Sequence, residues 1–591
     1  MQLKVIGSLK DDEEEVKENL KHLVGFHRRE NKSKYWEKFD RLDKGPDELL
    51  DDPECIGGAI FIKKTKIKET DNIVYLYKFD EQNFKLKEGD QAYDVTSDLS
   101  FGKITKIDEI KDDENYIELT ITGKRITKVG EPPKLFDFGP GPVVNTATIA
   151  GALNKFILNY TEGDKLAFKC GLDILKKDYP DLKNIKKGDP IINDKNDLVA
   201  ESIKAVKKLN SSYLLMQGPP GSGKTYTSAK IILSLLKDNK RVGITSNSHK
   251  AINNLLKQIE KFALEENFTF KGMKKSSKDE DKLKGEIIED VSGRMKEFPS
   301  EYLLHAGTAW LFSDPRWTSK MDYLFVDEAG QVSLANTLAI STSTKNIILI
   351  GDQMQLSQPI QGIHSGNSGK SALDFLLGGY DTIPLSRGIF LGVTRRLNEK
   401  ICKYISSSFY ESRLKSHPIT KERSVSLELK EIKNEGIFYL PVDHQDCTQK
   451  SDEEAKIIKD YCSKILGKNY TEDKQKKKMT IDDIMMVAPF NMQVNNLKKI
   501  LNKKEARIGT IDKFQGQESK VVFISMTSSD PENLPRHKEF FFSRNRLNVA
   551  ISRAQCVAVI LFNPKLLLAD CQKINEIRLV NNFCKLLQYK V

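Results

Sequence analysis

Along the chain the apolar positions change their period several times, and each change marks a different kind of element. Residues 12–50 are charged with a helical recurrence, in which Leu20, Leu23, Val24, Trp36 and Phe39 form the expected apolar face. From Ile56 to about Lys128 short alternating runs take over, at 73–77, 102–107 and 116–121, parted by turn residues such as Gly89-Asp90 and Asp112-Asp113. Such strands predict a small β-barrel. Glu131-Pro132-Pro133 and Gly139-Pro140-Gly141-Pro142 punctuate a linker, followed by a helical connector around residues 147–175. Past residue 190, short β-rich apolar runs at 214–217, 242–245, 323–326, 347–350, 485–487, 521–525 and 557–561 are separated by helical stretches. That alternation predicts an α/β fold with parallel sheets covered on both faces. The mixed-charge stretch 271–284 interrupts it and reads as a solvated loop or insertion, placed where it could touch nucleic acid.

Chemistry concentrates at two strand ends. After the apolar run 213–216 comes Gln217-Gly218-Pro219-Pro220-Gly221-Ser222-Gly223-Lys224-Thr225, and then Ile231, Ile232, Leu235 and Leu236 recur at helical spacing. A strand passing through a glycine-rich loop into a helix aims backbone N–H groups and a helix N-terminus at phosphates. Lys224 adds a point charge and the Thr225 hydroxyl a Mg²⁺ ligand, so the string implies binding of a nucleoside triphosphate. The second strand end is Tyr323-Leu324-Phe325-Val326-Asp327-Glu328-Ala329-Gly330-Gln331. Asp327 suits a water-mediated hold on Mg²⁺, leaving Glu328 to polarise an attacking water as general base. Gln355, in Ile350-Gly351-Asp352-Gln353-Met354-Gln355-Leu356, is a neutral donor fit to sense a γ-phosphate.

Composition narrows the class. A length of 591 residues gives a prior of about four domains. The 94 Lys and Arg against 83 Asp and Glu leave a formal charge of +11, which suits a polyanionic partner but also follows from lysine-rich composition alone. No apolar run reaches the ~18–20 residues that span a membrane, and the N-terminus lacks the form of a signal peptide. Eight scattered cysteines without a C-x-x-C pair argue against a zinc ribbon, an iron–sulfur cluster or a disulfide framework, so a reducing, cytoplasmic setting is expected.

The order of these motifs resembles that of superfamily 1 helicases, in the subfamily B branch that includes the nonsense-mediated-decay helicases. Five further strings keep the order: Thr245-Ser246-Asn247-Ser248-His249-Lys250-Ala251, Gly307-Thr308-Ala309, Pro489-Phe490-Asn491-Met492-Gln493, residues 510–518 and residues 546–554. This likeness covers roughly residues 190–565. Phe26-His27-Arg28-Arg29-Glu30, residues 35–41 and residues 327–336 are in addition similar to the helicase half of prokaryotic RecB-like nuclease–helicase fusions, with the nuclease half absent. Tripeptides such as Glu428-Leu429-Lys430 fit a nuclease element only as far as chance allows in so Lys- and Glu-rich a chain.

The resemblance implies two tandem RecA-like domains, at 191–384 (with a charged insertion at about 265–300) and 385–591. Before them come an N-terminal helical segment at 1–55, an accessory β-barrel at 56–130 and a connector at 131–190. By family resemblance the barrel lines the strand exit, where Tyr75, Tyr77 or Tyr93 would be the aromatics available to bases. ATP and Mg²⁺ would lie between the two domains. The first supplies Gly218, Pro219, Pro220, Gly221, Ser222, Gly223, Lys224, Thr225, Asp327, Glu328 and Gln355; the second supplies Arg396 and Arg553 as arginine fingers, with Gly516 permitting close backbone approach and Glu518 completing the nucleotide side. The alternative for each arginine is a surface ion pair. Ser246, Asn247, Thr308 and Thr510 would grip a strand without reading its bases. Leu356-Ser357-Gln358-Pro359 lacks the base-stacking aromatics of subfamily A, which by resemblance implies 5′→3′ travel. The chain departs from the family at Arg395, where an aromatic residue usually packs on adenine, and at Glu201, where a glutamine is usual; Asn193 or Asn196 are the substitutes at hand. Two readings follow: a helicase on single-stranded nucleic acid, DNA favoured over RNA, or an ATP-gated clamp that licenses a separate nuclease, for example in defence against phage. A nucleotide kinase or small-molecule ATPase is a third, set back by the series of strand-contacting motifs.

Overall fold

The computed structural model of the protein describes residues 13–588 apart from 81, 83, 110–114, 194–195, 473, 504, 533 and 535–537, so the expected Asp112-Asp113 turn lies outside the described residues. The chain forms two compact units: residues 27–145 with 360–363, and residues 1–26, 146–359 and 364–591.

The smaller unit holds the barrel. Strands β1 (Ile56–Lys66), β2 (Asn72–Phe79), β3 (Gln91–Asp94), β4 (Ser100–Glu109), β5 (Asn115–Thr122) and β6 (Leu135–Gly139) close in the order β1-β2-β5-β4-β3-β6. The alternation read from sequence drives it: on β5, Ile117, Leu119 and Ile121 are buried between partly exposed neighbours, and they meet Phe79, Phe136 and Phe138 inside. Two expectations change here. The barrel does not end at residue 130, because β6, expected within the 131–190 connector, pairs with both β1 and β3 and closes the ring. Tyr75 and Tyr77 belong to the barrel core, with Tyr77 donating its hydroxyl to Pro133 O at 2.9 Å, so neither offers a ring face to bases.

The N-terminal segment also differs from the single piece expected over 1–55. Leu20, Leu23 and Phe26 join Ile149 and Leu153 in the core of the larger unit. Trp36 and Phe39, on the following helix, are 64% and 51% exposed, so the expected apolar face stops short of them.

Two parallel sheets organise the larger unit. The first takes β7 (Tyr213–Gln217), β8 (Val242–Thr245), β9 (Gly272–Lys275), β10 (Ile288–Val291), β11 (Leu304–Ala306), β12 (Met321–Val326), β13 (Thr344–Gly351) and β14 (Gly388–Phe390) in the order β10-β9-β11-β8-β12-β13-β7-β14. A short ladder, β15 (Val393–Thr394) with β16 (Lys415–Ser416), follows it. The second sheet is built from β18 (Gly436–Pro441), β21 (Ile484–Ala488), β22 (Arg507–Thr510), β23 (Ser519–Ser525) and β24 (Ala554–Phe562), ordered β18-β24-β23-β21-β22. Beside it stands a small sheet of β17 (Ser424–Ser426), β19 (Asn469–Glu472) and β20 (Gln475–Lys478).

Side-chain alternation splits each sheet between two cores. Leu215, Leu349 and Val326 face one cluster with Leu153, Phe156 and Leu338, whereas Leu214, Met216 and Ile348 face another with Ile231, Ile232, Leu255 and Ile259. Met485, Val487, Ala558 and Ile560 of the second sheet belong to that first cluster too, so one continuous apolar body joins the two sheets. Each such aliphatic side chain contributes about 1.5–3 kcal/mol on burial, enough in sum to fix the sheets' faces.

Two more boundaries move. The stretch read as a charged loop or insertion supplies β9 and β10, which extend the first sheet in parallel register from β11. Its Met273 and Lys274 are buried, and Lys274 Nζ donates to Asp281 O. The first sheet also runs past residue 384, since β14 pairs with β7 through Gly388 opposite Leu215.

His305, in the middle of β11, is buried and stacked on Phe298 with ring centroids 5.0 Å apart. Nε2 meets Tyr302 O at 2.9 Å while Nδ1 has no partner, the pattern of a neutral ring. Burial, helped by the Arg241 guanidinium, pushes its pKa down to about 4. The folded value lies below the unfolded one, so this contribution is fully present above the unfolded pKa of about 6.5 and is lost as pH falls toward 4. Acidification from neutrality to about pH 5 should therefore cost about 2 kcal/mol through His305. Denaturant unfolding of wild type and His305→Gln at both pH values checks this: the variant should lose less stability, and equal losses would refute the assignment.

Candidate functional site

β7 is buried along its whole length and ends at Gln217, whose carbonyl receives Leu391 N and whose side chain is clamped between Asp381 O and Ile383 N. From there the glycine loop turns into the helix Lys224–Lys237. Gly221 and Gly223 take φ of +71° and +82°, a region L side chains avoid. An added Cβ on Gly218 would lie 2.2 Å from Lys224 Cγ, so that glycine makes room for the lysine. Lys224 Nζ bonds to Gly218 O at 2.7 Å, and Ser222 Oγ is shielded without a partner. Thr225 is half-buried in the first helical turn. The outcome is a loop with a curled cation and an unsatisfied hydroxyl, the chemistry of an anion cradle.

Opposite it, β12 ends in Asp327, whose N–H bonds to Thr245 O at 2.8 Å. Burial first, and the neighbouring Glu328 second, push the Asp327 carboxyl up to about 7, while Lys224 works against them. Glu328 stands in a left-handed conformation at φ +52°. Gln355, at the end of β13, is buried and donates Nε2 to Asp352 Oδ2 at 2.8 Å.

The chain crosses from the first sheet to the second directly over the phosphate loop. Leu391 N bonds to Gln217 O, Arg395 N to Gly221 O at 2.9 Å, and Asn398 N to Gln555 O at 3.2 Å, all within eight residues. Thr394 Oγ1 donates to Pro220 O at 2.8 Å. Arg396 is thereby set against the loop, and its Nε is paired with Glu518 Oε2, with Nη1 directed at Ser552 O. Burial opposes the charge of Glu518, yet Arg396 and Gln555 hold its carboxyl below the ordinary value. The alternative of a surface ion pair fails only in part for Arg396: its own side chain is 10% exposed, whereas that of its partner Glu518 is 41% exposed.

It fails more completely for Arg553. This side chain is 1% exposed and bonded to Val549 O, Phe514 O and Gln517 O, with no ion pair among the described residues. Burial, and Arg396 beside it, bring its pKa down to about 9, while Glu328 favours its charge from across the cleft. A buried guanidinium held only by carbonyls keeps its charge for an anion still to come. Gly516 has φ +76° with open space where a Cβ would be, so the turn itself favours glycine there.

The expected strand-gripping residues divide. Ser246 is buried with an unpaired hydroxyl. Asn247 is exposed and donates to Gln331 O, and Thr308 and Thr510 are half-buried at an element's edge. Between the two sheets runs a groove of about 840 Å³ lined by Gln331, Gln358, Gln515, Phe540, Arg546 and Lys573. Gln331 Nε2 bridges it to Gln515 Oε1 at 2.7 Å, and the Arg546 guanidinium stands 4.2 Å above the Phe540 ring. Of the two departures, Arg395 is exposed beside the loop, whereas Glu201 is taken up by Lys204 and Asn193 N.

Sequence reasoning missed Thr394, Tyr410, Asn548 and Gln555 as parts of this site. Thr394 and Gln555 adjoin recognised strings, which was a usable signal. Tyr410 carried none: its hydroxyl reaches Asp352 Oδ2 at 2.6 Å across 58 residues.

Comparison with known proteins agrees with this geometry. AAA domain models match residues 202–360 and 383–565. DNA polymerase alpha-associated DNA helicase A of Schizosaccharomyces pombe is 24% identical over 426 residues, 59% of this chain and 60% of that protein. DNA replication ATP-dependent helicase/nuclease DNA2 of Xenopus laevis is 25% identical over 571 residues, 87% of this chain and 52% of that protein. ATP-dependent helicase NAM7 of Saccharomyces cerevisiae is 26% identical over 400 residues, 59% and 40% respectively. The chain thus spans roughly half the length of these relatives. A solved complex of arterivirus nonstructural protein 10 (helicase) with DNA overlaps 60% of this chain and 61% of that one at 14% identity and a TM-score of 0.33, too distant to add to the fold. Both matched segments fall on the two parallel sheets, so the chain carries AAA domains there, and with its motifs in order across the cleft it is similar to superfamily 1, subfamily B helicases.

Proposed function

We propose that the protein is an ATP-dependent helicase that moves 5′→3′ on single-stranded nucleic acid, DNA before RNA. The observation that carries this is the enclosure of Arg396 and Arg553 at the phosphate loop, on the second sheet's side of a cleft whose first side holds Lys224 and Glu328. Guanidinium groups match phosphate oxygens in a bidentate manner, so charge at the γ-phosphate draws the two sides together. Lys224 releases Gly218 O and turns to the phosphates, joined by the loop N–H groups and Ser222. Gln355 donates to the γ-phosphate from the end of β13.

The residues fit a magnesium ion: the Thr225 hydroxyl and the Asp327 carboxylate would be the one or two protein oxygens that hold it beside phosphate. When bound it neutralises charge on the phosphates. Glu328 accepts the proton of the attacking water, and Arg553, whose charge Glu328 already favours, stabilises the transferred phosphoryl group. The crossing segment 391–398 passes the resulting movement to the second sheet. The groove beneath Gln331 and Gln515 supports the strand's path, with Asn247, Thr308, Thr510, Arg546 and Lys573 as contacts to phosphate and sugar.

Glu328→Gln should bind ATP and nucleic acid with little change yet hydrolyse at least about a hundredfold slower; turnover at the wild-type rate would remove Glu328 as base. Arg553→Ala should keep nucleotide affinity within a few-fold while kcat falls about a thousandfold; an unchanged kcat would deny it a part in the reaction. Unwinding of matched DNA and RNA duplexes bearing a 5′ or a 3′ tail tests the whole reading, with Glu328→Gln as control. Opening from the 5′ DNA tail alone is expected, whereas strand-stimulated hydrolysis without opening would replace the motor by an ATP-gated clamp.

A further inference from the structure

The first and second sheets meet at one fully buried hydroxyl that no recognised motif contains. Tyr410 follows the helix Glu399–Phe409 and is completely enclosed, its ring against Phe390. Its OH donates to Asp352 Oδ2 at 2.6 Å and receives Asn548 Nδ2 at 2.9 Å. The same Asp352 oxygen accepts Gln355 Nε2 at 2.8 Å, and Asn548 Nδ2 also bonds Met354 O at 2.7 Å. Asn548 lies on the helix Arg544–Ile551, whose Val549 carbonyl holds Arg553 Nε at 2.9 Å. A circuit of hydrogen bonds therefore runs from Gln355 through Asp352, Tyr410 and Asn548 to the helix whose C-terminal end holds Arg553.

We infer that Tyr410 is a positioning residue that couples Gln355 to Arg553, setting the two sides of the nucleotide cleft as one unit through its hydroxyl. This assignment rests on the nucleotide reading of the cleft. Three features support a role beyond packing. Asp352 is buried without an ion pair among the described residues, and the Lys224 ammonium of the phosphate loop favours its charge. Burial pushes the Asp352 carboxyl up, while Lys224, Tyr410 and Gln355 each work to keep it charged. A movement of Lys224 toward phosphate thus alters the partner that Tyr410 holds. A phenol is also the side chain that suits the position: one hydroxyl both donates and accepts, and a rigid ring fixes where it does so. Finally, Asn545 on the same helix donates to Gln353 O and Gln355 O, so the helix is bonded to the backbone that presents Gln355 as well as to its side chain's partner.

Tyr410→Phe keeps the ring and removes only the circuit's central atom. The test measures the Kd of a fluorescent ATP analogue, KM and kcat for ATP with saturating oligo-dT, and Tm, for wild type, Tyr410→Phe, Gln355→Ala and the double variant. Expected is a fall in kcat of about tenfold in Tyr410→Phe, with Kd within about twofold and a double variant no slower than Gln355→Ala alone. An unchanged kcat would reduce Tyr410 to a packing residue. A Kd that weakens together with Tm would make its hydroxyl a contributor to folding, and additive losses in the double variant would show that it does not act through Gln355. If the wild-type chain binds no ATP, the nucleotide reading itself falls, and this assignment with it; binding without the kcat loss overturns the assignment alone.

Discussion

The crossing of the chain over the phosphate loop is the constraint on which the rest of the larger unit depends. An added Cβ on Gly221 would meet Arg396 Cβ at 2.3 Å and Thr394 Oγ1 at 2.8 Å, so the loop and the crossing segment are in contact at the limit that a bare α-carbon allows. Arg395 N on Gly221 O and Thr394 Oγ1 on Pro220 O make that contact directional. Within three residues the same segment bonds to β24 through Asn398, whose side chain reaches Cys556 O. On the proposed reading, a phosphate entering the loop would act directly on the segment that joins the sheets.

Charge in the cleft is arranged around that crossing in an unbalanced way. On one side Asp327, Glu328 and Asp352 crowd a single lysine, and burial raises both aspartates. On the other side burial and the neighbouring Arg396 lower the pKa of Arg553, while Glu328 across the gap, Glu518 and Tyr410 work to raise it. Each side alone is costly to keep ionised in a low-dielectric setting. On the proposed reading, a polyphosphate with its metal ion would offset both imbalances. The continuous apolar cluster linking Val326 and Leu349 with Val487 and Ile560 keeps the two sides within reach.

What was legible in sequence was whatever local chemistry dictates. The phosphate loop declares itself because positive φ at 221 and 223 and the space for Lys224 demand glycine in one contiguous string. The period-two alternation of β5 likewise marks a strand with one covered face, and the continuous apolar runs of β7 and β13 mark strands covered on both. The missed elements share a different cause. β6 hides between Pro133 and Pro140, where proline signals read as linker, and only its ladder with β1 and β3 identifies it. β9 is disguised by Lys274, a lysine that is buried because its ammonium finds the Asp281 carbonyl. Trp36 and Phe39 have helical spacing but no partner surface among the described residues that buries them.

Tyr410 illustrates the harder limit. Its role is defined by Asp352, 58 residues before it, and by Asn548, 138 residues after it. No window on the sequence contains that pair. The recognised motifs line the cleft and, on the proposed reading, would touch what enters it, so their residue types follow from the chemistry of phosphate. The residues that make the walls move together touch only protein, and their identity follows from the distances between elements. For this chain the first class was readable as Lys224, Glu328 and Arg553, and the second emerged only when the two sheets were seen to share a single buried hydroxyl.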